Sequence, residues 1–258
     1  MKRSRALLTV ILVTAGAAAA NAAGPVDIYN GGQLGEGVSQ SNAPAEPSLS
    51  RGVTYTASTF PLAMRVRPPD ALWGGVQLHS GRFGFVVFVH LRTGSVPLHG
   101  VGYITLESAK GLTPSAATVI NRLHATPHIK AGPVKPIRVA GFPGYQFDAT
   151  VVGGDLDTSK TCPGGRKCPA AVSFAPFLTN PHCGWCGEMK FYPQKTLDVK
   201  TVLKAQLLRI TALDVRGKTV VIYLESTYAL QPKYPPTQTY PTFLPYAQRM
   251  LAEVSFGS

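Results

Sequence analysis

The first hydrophobic feature of the chain is an apolar run from Ala6 to Ala20, which follows a basic start and leads into the small-residue sequence Ala20-Asn21-Ala22. A basic start, a short apolar stretch and a small-residue site are together typical of a secretory signal peptide. We therefore predict that residues 1–22 are a signal peptide removed after Ala22. The longest later apolar run, Phe83 to Val89, is far below the roughly 20 residues of a spanning helix, so we expect no transmembrane segment after removal.

The next segment is rich in Gly, Ser, Asn and Pro, with scattered apolar positions. This composition predicts a flexible mature N-terminus over residues 23–51. From residue 52 onwards, runs of β-branched and aromatic residues alternate with turn residues, which predicts strands. The predicted strands are Val53–Ala57, Leu62–Arg67, Phe83–His90, Val101–Glu107, Val134–Val139, Gly144–Val152, Gln206–Val215 and Lys218–Thr227. Turns are expected at Pro68-Pro69, Gly74-Gly75, Gly141-Phe142-Pro143 and Arg216-Gly217.

Two segments carry apolar residues at helical spacing. In the first, Thr113-Pro114 provides an N-cap and a first-turn proline, and the pattern runs from Ala116 to Leu123 until Pro127 ends it. The second is predicted to begin at Pro241, after a loop. Its apolar stripe comprises Phe243, Ala247, Met250 and Val254. A meander of strands with one internal helix, then a hairpin and a C-terminal helix, predicts an α+β fold: a mainly antiparallel sheet packed with both helices as a sandwich.

Residues 52–258 are predicted to form a single domain. No Ser/Gly linker divides them, and neither helix has enough apolar surface for a separate core. A loop over residues 155–190, which carries the cysteines, is expected to interrupt the strands. The residues predicted to be buried together are Val119, Ile120, Leu123, Phe147, Leu213, Val221, Ile222, Leu251 and Phe256.

The order of these elements also resembles that of a known group of proteins. The resemblance is carried by the helix from Thr113-Pro114 to Leu123, the hairpin from Val139 to Phe147, and the closing segment from Phe243 to Phe256. Over residues 52–256 the chain resembles uncharacterised exported proteins of high-GC Gram-positive bacteria. Their architecture is similar to the α/β/α sandwich of the photosystem extrinsic subunit PsbP and of mycobacterial LpqN-type proteins. The resemblance implies a fold and export from a bacterial cell, and it transfers no catalytic residue.

The positive net charge of the chain indicates which kinds of partner it can attract. The chain has 25 Lys and Arg against 13 Asp and Glu, a net charge of +12, and loss of three leader cations leaves +9. An exported basic protein can meet anionic wall polymers or lipid headgroups through long-range attraction. Because long basic runs are absent, solubility is the simpler explanation, and no specific nucleic-acid signature is present. If a specific anion site exists, the cysteine loop could supply Lys160, Arg166, Lys167 and Lys190.

The cysteines of the predicted loop are Cys162, Cys168, Cys183 and Cys186. An even number in an exported chain favours structural disulfides that restrain the loop, and the three possible pairings remain open. Cys183 and Cys186 also form a Cys-x-x-Cys motif, so thiol-disulfide exchange is an alternative. The residues after this motif look extended, which leaves out the helix dipole that would stabilise a thiolate. A zinc site is disfavoured by the wide first spacing and by export.

Other catalytic patterns are weak. His124 and His128 are one helical turn apart, but Pro127 breaks that turn, so we do not expect the two histidines to bind one metal ion. A Gly-x-Ser-x-Gly elbow is absent. Carboxylates that could meet in space as a glycosidase pair are Asp148, Asp155, Asp157 and Glu188. Tyrosines that could form a stacking platform, or simply pack on the sheet, are Tyr223, Tyr228, Tyr234 and Tyr240.

The sequence therefore predicts a secreted, non-enzymatic globular protein that binds or scaffolds an unidentified component at the cell exterior or cell wall. We expect no cofactor, no catalytic residues and no metal ligands. The expected partner contact is a weak electrostatic one with anionic cell-wall polymer or lipid headgroups. The alternative from another class is an exported thiol-disulfide or metal-dependent protein that uses Cys183 and Cys186.

Titration of free thiols and bound metal in the purified native protein separates these two classes. Structural disulfides predict no free thiol, no zinc and resistance to mild reductants. A single readily exchanged bond between Cys183 and Cys186, or a bound metal ion, would support the alternative.

Overall fold

The strands with the most apolar residues form the centre of one large sheet. The computed structural model describes residues 24–33, 48–90, 102–154, 171–174, 176–177, 200–226 and 236–257. In chain order the elements are β1 (Val26–Asp27), β2 (Asn30–Gln33), β3 (Tyr55–Thr56), β4 (Met64–Val66), β5 (Trp73–Ser80), β6 (Phe83–His90), β7 (Gly102–Ala109), α1 (Ala116–His124), β8 (Ile129–Ala131), β9 (Lys135–Val139), β10 (Phe142–Val151), β11 (Ala171–Phe174), β12 (Lys200–Leu203), β13 (Leu207–Val215), β14 (Lys218–Ser226), α2 (Pro236–Ala252) and β15 (Val254–Phe256).

Within the described ranges, these strands form a large sheet, a small sheet and a separate two-stranded sheet. The large sheet has the spatial order β2-β5-β6-β7-β14-β13-β10-β8, and β9 also pairs with β10. The small sheet has the order β1-β3-β4-β15, while β11 pairs with β12. Most neighbouring strands are antiparallel. The predicted α+β class and its mainly antiparallel sheet are confirmed. Of the described helices, none combines the length and apolar character needed to cross a membrane.

The central strands β6, β7 and β14 of the large sheet are buried on both faces. One hydrophobic core lies on the α2 side, and a core and a smaller cluster of Val76, Leu78, Phe85 and Val87 lie on the α1 side. Along β14, alternate side chains point to opposite faces, so Val221 packs under α1 while its neighbour Ile222 packs under α2 and the small sheet. All nine residues predicted to form one core are buried, but in two separate cores. One holds Val119, Ile120, Leu123, Phe147 and Val221. The other holds Leu213, Ile222, Leu251 and Phe256.

A glycine in β7 allows α2 to lie close to the sheet. A Cβ atom on Gly102 would lie 2.6 Å from the ring of Phe243, which is fully buried on α2. Any side chain here would push the helix off the sheet, because buried layers are already close-packed. A glycine is therefore needed at this position of β7.

Both helices differ from the prediction at their N-termini. The N-cap of α1 is Ser115, whose hydroxyl accepts a hydrogen bond from the amide of Thr118, and it replaces the predicted Thr113. Helix α2 begins at Pro236 and contains Pro241 and Pro245. Both of these prolines are exposed, while the opposite side of the helix packs on the sheet and holds it in place despite the missing backbone bonds.

Two predicted turns are also placed differently. Gly74-Gly75, predicted as a turn, lies inside β5 and pairs with β6. A Cβ on Gly75 would lie 3.0 Å from Leu49, so glycine here makes room for a covering side chain. In the hairpin between β9 and β10, the turn residues are Ala140 and Gly141, with φ of 51° and 83°, and Phe142 already belongs to β10. The predicted turn at Arg216-Gly217 is confirmed, with φ of 52° and 75°.

Part of the segment predicted to be flexible is bound to the fold. Over residues 24–33, β1 pairs with β3 and β2 pairs with β5, so this short stretch joins the small sheet to the large one. Ile28, between the two strands, is only 1% exposed. The prediction over 23–51 is therefore wrong for these residues, because their few apolar side chains are enough to dock when backbone pairing supports them.

The buried amide of Gln77 fixes this segment. Its Nε2 donates to the backbone oxygen of Ile28 at 2.6 Å and to Asp27 Oδ2 at 2.8 Å. Its Oε1 accepts from the amide and the hydroxyl of Thr59 at 2.8 and 2.9 Å. Because Gln77 is fully buried, these bonds satisfy polar groups that would otherwise be left without partners. The amide thus connects three separate segments of the chain.

Asp27 adds a charged part to the same network. Burial raises its pKa, but hydrogen bonds from the hydroxyl and amide of Ser58, from Gln77 and from Thr56 outweigh that effect, so its pKa lies below the ordinary value of 3.8. A carboxylate whose pKa is lowered by folding stabilises the fold above the ordinary value. Its contribution is lost as the pH falls through the lower folded pKa. The network is therefore intact at neutral pH.

We predict that Gln77→Met lowers the free energy of unfolding by about 2–3 kcal/mol, because it leaves buried backbone groups of Ile28 and Thr59 without partners. The matched control is Gln146→Met, since Gln146 is half-buried and has one side-chain contact, with Thr211 at 3.3 Å. This control should cost less than about 1 kcal/mol. Urea unfolding measures both variants. Equal effects would show that Gln77 has no special role.

Candidate functional site

Strand pairing brings four connections to the same end of the large sheet. The registers Phe83↔Ala109, Val215↔Lys218 and Phe142↔Val139 place the β5–β6 turn, the segment after β7, the β13–β14 turn and the β9–β10 turn side by side. At least one cation lies in each of these connections or in the strand residues next to it. We call this surface the basic end, and its cations are Arg82, Lys110, Arg138, Arg216 and Lys218.

The basic end is a row of positive charge with little local compensation. Four of its cations are exposed and Lys218 is half-buried. From β6 to β9 the row crosses five strand spacings, about 24 Å. The nearby carboxylate of Asp214 accepts a hydrogen bond from the amide of Ala116 at 2.9 Å. It lies at the start of α1, where a negative charge is favoured by the helix dipole, and it offsets only part of the charge of the five cations.

Hydrogen bonds hold the segment between β7 and α1 in a fixed position. The amide of Lys110 donates to the backbone oxygen of Arg82 at 2.7 Å, and Lys218 Nζ donates to that of Gly111 at 3.0 Å. The amide of Thr219 donates to Thr113 Oγ1 at 2.7 Å. Contacts on both sides thus anchor the segment to neighbouring connections.

Leu112 lies in this segment and is the most exposed large apolar side chain of the described residues. Its side chain is 92% exposed, in contrast to the other apolar residues near α1. Lys110 precedes it by two residues, and Lys218 Nζ is near it because that group bonds to the backbone oxygen of the adjacent Gly111. The arrangement presents an apolar side chain among cations on a fixed backbone.

This geometry suits an extended anionic surface better than a single small anion. Five cations spread over about 24 Å cannot converge on one phosphate, but together they attract a polymer or a plane of headgroups. Composition alone gave only the net charge. The sequence feature that indicates these cations is local. Arg82, Lys110 and Arg216 each stand next to a glycine with positive φ, and such glycines mark the tips of turns.

The cysteines and the loop cations lie outside the described residues. This holds for Cys162, Cys168, Cys183 and Cys186, and for Lys160, Arg166, Lys167 and Lys190. The disulfide, thiol and zinc hypotheses therefore stay predictions. Across the part of the chain that is described, no three His, Cys, Asp or Glu side chains come together as a possible metal site.

The two predicted histidine neighbours have different surroundings. His124 Nε2 lies 3.0 Å from the backbone oxygen of Gly132, and its ring meets that of Phe147 edge-on at 5.1 Å. His128 has a φ of 62°, and its backbone oxygen accepts from Val152 at 2.9 Å. Each histidine thus takes part in local packing of its own, and Pro127 separates the two, as the sequence indicated.

The other predicted clusters are not assembled by the described residues. Asp148 forms a two-point contact with Arg209, at 2.7 and 3.1 Å, while Asp155, Asp157 and Glu188 lie outside the described ranges. Tyr223 and Tyr240 are buried on opposite faces of the large sheet, so they cannot share one stacking platform. Burial also raises the pKa of Tyr240 strongly, and its hydroxyl donates to the backbone oxygen of Leu224. Tyr228 and Tyr234 are not described.

Two carboxylates that were not among the predicted site residues are buried on the α1 side of the large sheet. Glu107 of β7 is fully buried and Glu225 of β14 is 4% exposed. The hydroxyl of Thr105 donates to Glu225 Oε1 at 3.4 Å. The available signal was a glutamate inside an otherwise apolar strand, as in Leu106-Glu107-Ser108, where charged residues are rare.

Comparison with known proteins adds one structural similarity. No protein-family model and no curated protein sequence matches the chain. Among solved structures, the chain is similar to LpqN, described as involved in cell envelope biogenesis of Mycobacterium tuberculosis. The sequence identity is 12% and the TM-score is 0.36, over 83% of this chain and 91% of LpqN. This is a weak similarity of fold, which agrees in part with the LpqN-type resemblance and defines no family.

Proposed function

We propose that this chain is an exported, non-enzymatic binding protein whose basic end associates with phosphate- or carboxylate-bearing material at the cell exterior. The observation that carries the proposal is the row of five cations on fixed connections at one end of the large sheet. Scattered solubilising charge would be distributed over the whole surface. Here the cations of four connections are brought together by strand pairing.

Export is the second part of the proposal, and it rests on the leader-like residues 1–22. Removal of these residues leaves β1 and β2 intact, because the first strand begins at Val26. The net charge after removal is +9. A protein of this charge meets anionic polymers and headgroups once it is outside the cell.

The expected association is electrostatic and therefore depends on salt. Each Lys or Arg near an anionic surface contributes about 1 kcal/mol, and the attraction decays within a Debye length of about 8 Å at physiological ionic strength. Five cations in a row act together on an extended surface, where isolated cations on different sides of the molecule cannot. Binding should be firm at low salt and weak near physiological salt.

The test compares two variants of equal net charge on phosphocellulose. The first, Lys110→Gln/Arg138→Gln/Arg216→Asn, removes three cations of the basic end; Asn suits position 216 because it tolerates positive φ. The control, Arg65→Gln/Lys130→Gln/Lys204→Gln, removes three exposed cations elsewhere. We expect the first variant to bind about two orders of magnitude more weakly at low salt and to elute well before the control. Elution of both at the same salt concentration would contradict the proposal.

A further inference from the structure

We infer that the anionic surface is a lipid bilayer and that Leu112 enters it between the cations of the basic end. This inference rests on the proposed function and names its partner. The cations would lie in the plane of the headgroups, and the leucine would reach the boundary between headgroups and acyl chains. A polymer of the cell wall, in contrast, would be held by the charges alone.

The side chain of Leu112 is almost fully exposed. A single exposed leucine is ordinary in proteins. Leu112 nevertheless differs from the other large apolar side chains that the described residues expose, because it is 92% exposed while each of the others is at most half exposed. These others are Val26 at 46%, Tyr29 at 46%, Tyr145 at 37% and Val152 at 50%.

The segment that carries the leucine is fixed in position. The bonds of Lys110 to Arg82, of Lys218 to Gly111 and of Thr219 to Thr113 hold the backbone on both sides of Leu112. A free segment could fold such a side chain back onto the protein. An anchored one keeps it in water until a partner covers it.

Positive charge lies near the leucine. Lys110 and Lys218 lie close to the leucine, and Arg82 and Arg216 extend the positive row toward β6 and β13. Reversible membrane attachment combines a small apolar contribution with a basic patch, since either signal alone gives only marginal binding. The basic end supplies both signals at one place, which favours a bilayer with anionic lipid as the partner.

Vesicle co-sedimentation tests the role of the leucine. The full chain is mixed with vesicles of phosphatidylcholine containing phosphatidylglycerol, and with vesicles of phosphatidylcholine alone. We expect binding to the anionic vesicles only, and a loss of about ten-fold in affinity for Leu112→Ser. Leu112→Met should restore binding, and the control Val152→Ser should bind like the unchanged protein. Since Leu112 makes no buried contacts, the melting temperature of Leu112→Ser should be unchanged.

Depth of insertion gives an independent readout. In the variant Leu112→Trp, the added indole should shift its emission to the blue on anionic vesicles and be quenched by lipids brominated on the acyl chains. The control Val152→Trp should show neither effect. Absence of quenching for Leu112→Trp on vesicles that bind it would overturn the insertion.

The outcomes separate this inference from the proposed function. One outcome is that Leu112→Ser binds vesicles like the unchanged protein, while the basic-end triple variant no longer binds vesicles or phosphocellulose. The charges then act alone, and a polymer is the better partner. The inference then fails and the proposed function stands. If the triple variant behaves like its control in both assays, both fail.

Discussion

The architecture depends on the need to cover the large sheet on both faces. The middle of β14 reads Val220-Val221-Ile222-Tyr223-Leu224, with no polar position to turn toward water, and every one of these side chains is buried. A strand of this composition is unstable unless both faces are removed from solvent. Helix α1 and β11 pack on one face, while α2 and the small sheet pack on the other.

The same constraint explains why the basic end is available for binding. Layers can cover the faces of a sheet, but the connections at its ends stay at the surface because their backbone groups need water or local partners. At this end the chain satisfies those groups locally, through bonds such as that from Thr219 to Thr113. The result is the basic end, where connections are anchored by hydrogen bonds and four of the five cations are exposed.

Most helices and strands of this fold can be predicted from the sequence, whereas their arrangement in space cannot. Strand β6 and the Arg216-Gly217 turn follow from β-branched runs and a glycine, so they were predicted closely. The turn predicted at Gly74-Gly75 is wrong, because local propensity contains no information on the packing of Leu49 against Gly75. Local sequence places Arg82, Lys110 and Arg216 beside turn glycines, but it does not show that these turns lie at the same end of the sheet, because only long-range strand pairing brings them there.

Coverage of both faces is tested most directly by truncating two neighbours in β14, Val221 and Ile222, which belong to different cores. Urea unfolding of Val221→Ala and Ile222→Ala, made separately, measures the cost on each face. Our account predicts that both variants lose roughly 2–4 kcal/mol of unfolding free energy, as expected for a cavity in a packed core. A loss below about 0.5 kcal/mol for either variant, the value typical of a solvent-facing position, would contradict it.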